Sequence, residues 1–195
     1  MTDTRTVDAP GAPVRARDLA LDLAAAAILA AAVGVVGWFA ISSVEWPAYS
    51  SSNVTRAFST VFQVIAIVVL AGCAVLLSRS VPAWQARAAR LLSFATVAGF
   101  VTVTLALPLG GTKLYLGGIS VDQQFRTEYL TRFTSSPRLA DMTYIDMPPL
   151  YSPGWFWLGG RFAKLFGLEG WAAFQPWSII SLAVAAAVAL ALWLT

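Results

Sequence analysis

Four long apolar runs constrain this chain more than any other feature. They cover residues 19–41 (LALDLAAAAILAAAVGVVGWFAI), 57–77, 91–107 and 177–194, the third ending at Pro108. A helix needs about 20 predominantly apolar residues to cross a bilayer, and each run approaches or exceeds that length. Only 12% of the chain is charged, about half of the ~25% usual in soluble domains. The fold class expected is therefore an all-α membrane protein, a multi-span helical bundle. The first run is too long for the apolar core of a signal peptide, and the SSVEWPAYS that follows offers no small-residue cleavage site.

The remaining segments divide the chain. Residues 1–18 read as a cytoplasmic tail, 19–108 as three transmembrane helices, 109–176 as a long extracytoplasmic loop, and 177–195 as a fourth, truncated span. Asp18 is placed to cap the first helix, with Asp22 in its first turns, where acids suit the helix dipole. Orientation follows from basic residues in short flanks. Arg5, Arg15 and Arg17 precede span one; Arg79, Arg87 and Arg90 lie between spans two and three with no acid. The loop after span one has only Arg56, beside Glu45. Both ends are thus expected in the cytoplasm and 109–176 outside.

Several function classes drop out. The chain has no histidine and one cysteine, Cys73, so neither a zinc-type ligand set nor an intrachain disulfide can form. The net charge of +3 is small and dispersed, unlike a nucleic-acid surface.

Long ordered loops are usually functional, and 109–176 has internal structure. GGTKLYLGG punctuates its start. VDQQFRTEYLTRF reads as a short helix, with Phe125, Tyr129 and Phe133 recurring at i, i+4, i+8 on one face. Asp122–Arg126 and Glu128–Arg132 are acid-to-base i,i+4 pairs in the favourable order. The prolines of DMPPLYSPG exclude helix interior and predict a stiff extended segment. Residues 154–167 then read as an amphipathic helix lying along the membrane surface. Trp155, Leu158, Phe162, Leu165 and Phe166 share its apolar face, with Arg161 and Lys164 off it. A carboxylate at a helix start, a Pro-Pro elbow and a surface helix would suit an enzyme taking a lipid-linked substrate at headgroup level. Such a transfer needs a base for the attacking hydroxyl and positive charge for the departing phosphate.

The order VDQQFRTEYL, MPPLY, KLFGLEGWAA resembles the first catalytic loop of GT-C membrane glycosyltransferases, which use polyprenyl-phosphate sugars. The longer string TYIDMPPLYSPGWFWLGGR is similar to one family within that class, the actinobacterial galactan 5-O-arabinofuranosyltransferases. The resemblance runs from about residue 19 and is sharpest over 117–176. It implies a GT-C-like N-terminal portion of a longer protein with more spans and a soluble C-terminal domain, in the plasma membrane with its active side outside. The activity implied is inverting transfer of arabinofuranose from decaprenyl-phosphoryl-arabinose to cell-wall galactan, priming arabinan synthesis. No resident cofactor is implied, the donor being a substrate, and a divalent cation is left open. Donor, galactan acceptor and membrane lipid are the partners, without nucleic acid.

Site residues follow from the same resemblance. Asp122 is the implied catalytic base, although on spacing alone it reads first as a helix-start carboxylate paired with Arg126. Arg126 fits a phosphate ligand or a structural ion-pair partner. Asp146 fits a contact to the sugar or a cation, or an exposed loop acid. Tyr151 and Trp155 fit stacking on substrate or interface anchoring, and Arg161 fits a phosphate ligand or a side chain snorkelling to headgroups. The competing class is a small non-catalytic membrane subunit for assembly or anchoring.

Overall fold

The apolar runs are helical in the computed structural model, which describes residues 16–47, 52–110, 120–144 and 146–194. Six helices follow one another among these residues, with no strand: α1 (Ala16–Ser42), α2 (Val54–Leu77), α3 (Ala83–Gly110), α4 (Val121–Ser135), α5 (Gly154–Leu165) and α6 (Gly170–Trp193). Four of them, α1, α2, α3 and α6, are long and apolar enough to cross a membrane. At 1.5 Å per residue the 27 residues of α1 reach about 40 Å, ample for a ~30 Å hydrocarbon layer. Most of the expected tail and the glycine-punctuated start of the loop, with Lys113, lie outside the described residues.

Small residues bring the spans together. Ala26, Ala30 and Gly34 are buried along α1, and Ala183, Ala187 and Ala191 along α6, both at four-residue spacing. Phe94 and Ala98 of α3 complete this core. Lipid tails are as apolar as leucine, so close backbone approach rather than hydrophobicity drives association inside a membrane. Gly37 shows the closeness required: a Cβ there would stand 2.8 Å from Thr102 Cγ2. Two buried hydroxyls are satisfied within α3, Ser93 donating to the Ala89 carbonyl and Thr102 to that of Ala98, each at 2.8 Å. The helix α2 packs on α3 alone among the described helices. Its outer face, including Val61, Val64 and Val68, is exposed for lipid.

Four helix starts differ from the sequence reading, α2 beginning at Val54 rather than near residue 57. Asp18 is not a cap but lies in the first turn of α1, because Ala16 and Arg17 already join the helix and the dipole favours an acid there. The helix α3 begins at Ala83 rather than near 91, since AWQARAAR is rich in helix formers and the Pro82 carbonyl accepts the Gln85 and Ala86 amides. The helix α6 begins at Gly170 and carries Pro176 inside. As the seventh residue of the helix, Pro176 lacks the N–H that would bond the Ala172 carbonyl.

The helices α4 and α5 pack on each other and on α6. Their interface buries Tyr129, Leu130, Phe133, Phe156 and Ala163. Glycine makes this possible. A Cβ at Gly160 would lie 2.4 Å from the Phe133 carbonyl carbon, and one at Gly170 would lie 2.4 Å from Thr131 Cα.

Candidate functional site

Where α4 and α5 meet the ends of α3 and α6, a groove of about 920 Å³ opens. Its membrane side is lined by Thr104, Leu105 and Pro108 of α3 and by Phe174, Ser178 and Leu182 of α6. Its other side is lined by Ser120, Gln123 and Arg126 at the start of α4, by Tyr151 and Ser152 of the elbow, and by Trp155 and Phe156 of α5. Apolar spans thus form one wall, while a guanidinium, an amide and several hydroxyls ring the other.

Local structure fixes these side chains. The Ser120 carbonyl accepts the Gln123 and Gln124 amides at 3.0 and 2.9 Å, starting α4 immediately before Val121. The aromatic stripe holds the helix down, with Phe125–Tyr129 ring centroids 5.7 Å apart and Tyr129–Phe133 4.8 Å apart. The elbow is tied to it twice. The Tyr129 hydroxyl donates to the Tyr151 carbonyl at 3.2 Å, and the Tyr151 ring meets Phe125 edge-on at 5.2 Å. Trp155 is anchored to α6: its indole N–H donates to Ser181 Oγ at 3.0 Å, and its carbonyl accepts the Trp177 indole N–H at 3.2 Å.

Three residues singled out from sequence, Arg126, Tyr151 and Trp155, therefore converge on one groove. Asp122 stands one turn before Arg126, exposed in the first turn of α4. Asp122 is not among the residues that line the groove; being four residues before Arg126, it shares that residue's face of α4. The two do not close an ion pair, nor do Glu128 and Arg132; Glu128 instead accepts from the Gln124 side-chain amide at 2.8 Å. Asp146 is exposed in the loop before the elbow and is not among the lining residues. Arg161 is also outside the groove: its guanidinium donates to the carbonyls of Phe133 and Thr134, the latter at 3.2 Å. It thereby satisfies carbonyls that the end of α4 would otherwise leave open.

The model of one family, described as arabinofuranosyltransferase N terminal, matches residues 22–195. The chain belongs to this family. Curated relatives carry the name galactan 5-O-arabinofuranosyltransferase. That of Mycobacterium tuberculosis H37Rv is 52% identical over 186 residues, covering 92% of this chain and 28% of the relative. That of Mycobacterium leprae is 51% identical over 172 residues, 86% of this chain and 26% of the relative. That of Corynebacterium glutamicum is 44% identical over 184 residues, 86% of this chain and 28% of the relative. The chain thus spans little more than a quarter of the length of these relatives.

Within this arabinofuranosyltransferase N-terminal unit, Asp141 is a structural acid that the sequence reading passed over. Its Oδ1 accepts the Thr143 and Tyr144 amides at 3.0 and 3.1 Å, and its own amide donates to the Met147 carbonyl at 2.9 Å. Asp141 thus ties this turn through both its carboxylate and its backbone amide. The Tyr144 and Thr143 amides hold its carboxyl below the usual carboxylate range. Burial raises the Tyr129 phenol; the Asp141 charge acts in the same direction and Arg132 opposes it. An aspartate two and three residues before amides it can accept is a turn signal, so Asp141 was open to sequence reasoning. Gln123, Ser152 and Ser178 carried no such signal, because which face of a segment meets the groove depends on packing. Among the described residues no group of three or more acids or thiols could hold a metal ion.

Proposed function

We propose that this chain is the membrane-embedded N-terminal part of a glycosyltransferase that moves arabinofuranose from a polyprenyl-phosphate donor to galactan on the outer face of the plasma membrane. The observation that carries the reading is the groove shared by Arg126, Tyr151 and Trp155 at the junction of apolar spans and the polar start of α4. A polyprenyl-phosphate sugar has this same division, with an isoprenoid chain for the Leu105 and Leu182 wall and a phosphate for Arg126. The family relationship supports the sugar and the acceptor.

Asp122 acts as the base. The acceptor hydroxyl attacks the anomeric carbon, its proton passes to the Asp122 carboxylate, and the bond from anomeric carbon to phosphate oxygen breaks with inversion. The electron pair leaves with the polyprenyl phosphate, whose growing charge Arg126 faces. Tyr151 and Trp155 shape the sugar site, and Gln123, Ser152 and Ser178 offer hydrogen bonds to sugar hydroxyls. Asp146, exposed in its loop, is left to meet the acceptor or a cation, while Arg161 is held by the carbonyls ending α4.

Blocking the groove tests this reading. In the full-length enzyme, Ser178→Phe should remove transfer from a polyprenyl-phosphate arabinose to a short galactan while leaving the protein inserted and folded. Normal turnover by that variant would place the donor elsewhere.

A further inference from the structure

The hydroxyls of α3 are turned back on the helix with one exception. Ser93, Thr96 and Thr102 each donate to the carbonyl four residues earlier, at 2.8, 2.7 and 2.8 Å. Inside a helix that carbonyl is the nearest acceptor a hydroxyl can reach. Thr104, the fourth hydroxyl, makes no hydrogen bond with any described residue. It is half-buried and lines the transfer groove beside Leu105.

Pro108 lines the same groove one turn later. It lies inside α3 and has no N–H, so the α-helical bond to the Thr104 carbonyl cannot form. Residues four apart share a helix face, and Thr104 and Pro108 share the one that meets the groove. Thr104 thus brings to this wall a hydroxyl without a partner and a carbonyl without its helical donor. Beside Leu105 and Leu182, unmade hydrogen bonds are costly. A ligand group that both donates and accepts removes that cost, whereas an apolar chain does not.

We propose that Thr104 is a specificity-determining residue whose hydroxyl hydrogen-bonds a hydroxyl of the donor's sugar. A sugar hydroxyl donates and accepts, as the threonine hydroxyl does, and it can also donate to the open carbonyl. An ionised phosphate oxygen only accepts, and that carbonyl repels it, so the phosphate stays with Arg126. The inference rests on the transfer reading of this groove and adds α3 to the elements that select the sugar.

The test pairs variants of the full-length enzyme with altered donors. Polyprenyl-phosphate arabinofuranose and its 2-, 3- and 5-deoxy analogues would be assayed on a short galactan acceptor. Thr104→Val keeps the β-branched shape and loses the hydroxyl, whereas Thr104→Ser keeps the hydroxyl. Losing one neutral hydrogen bond should lower kcat/KM of Thr104→Val on the parent donor about three- to tenfold. Thr104→Ser should stay near wild type, which shows that the loss follows the hydroxyl and not the packing of α3. On the one analogue lacking the sugar hydroxyl that Thr104 meets, wild type and Thr104→Val should turn over equally. An unchanged kcat/KM for Thr104→Val on the parent donor would overturn the proposal, as would an equal loss on all four donors. No transfer by the wild type from any of the four would instead remove the transfer reading itself.

Discussion

Asp22 of α1 and Arg90 of α3 meet at 2.6 Å although 68 residues separate them in sequence. Each is about one-third exposed, at 33% and 39%. The contact fixes the N-terminal ends of two parallel spans side by side. Partly exposed pairs contribute little, typically 0.2–1 kcal/mol. A double-mutant cycle of Asp22→Asn and Arg90→Gln should therefore give a coupling of about 1 kcal/mol or less. Unfolding in detergent would measure it, and strictly additive effects would mean that the pair contributes nothing.

The α4–α5 interface should be far less forgiving. Gly160→Ala places a methyl 2.4 Å from backbone, which no side-chain rotation relieves. Overpacking of this kind typically costs 1–3 kcal/mol. Gly154→Ala, with nothing within 4 Å, should be close to neutral. Equal unfolding midpoints for the two variants would contradict this packing.

Acid stability should report on Asp141. Its folded-state pKa lies below the ordinary value of 3.8. The stabilisation is present in full above that value and is lost as pH falls through the lower folded pKa. Asp141→Asn keeps an acceptor for the Thr143 and Tyr144 amides but cannot titrate. Wild type should therefore lose more stability than the variant on acidification below about pH 4. Parallel acid unfolding curves would remove Asp141 from the effect.

The proposed sidedness has its own test. With Cys73 replaced by serine, a cysteine at exposed Ser135 should react with an impermeant maleimide in intact cells. One at Arg87 should react only after the membrane is breached. The reverse pattern would invert the chain.

Much of this architecture was legible in the sequence because lipid imposes a simple rule: an apolar run long enough to cross has to be helical. The Phe125, Tyr129, Phe133 stripe was legible for a similar reason, its spacing matching the helical repeat. Helix starts were harder. Arg87 and Arg90 mask the first turns of α3, and Pro176 hides those of α6, since hydropathy falls where the helix continues. Pairings across the fold left no local trace. Arg126 had a sequence neighbour in Asp122 but turns to the groove, and Arg161 looked like a headgroup ligand yet serves the carbonyls ending α4. For Arg161 the partner comes from a different helix, which spacing along the chain does not show.

The claim that Asp122 is the base is tested most directly by turnover of the full-length Asp122→Asn enzyme with a polyprenyl-phosphate arabinose donor and a short galactan acceptor. Asparagine preserves size and hydrogen bonding but cannot take the proton. A positioned base is worth about 10²–10⁴-fold, so kcat should fall by that order with donor binding intact. Arg126→Gln should instead mainly weaken donor binding. Near-normal kcat for Asp122→Asn would contradict the account and make Asp146 the next candidate.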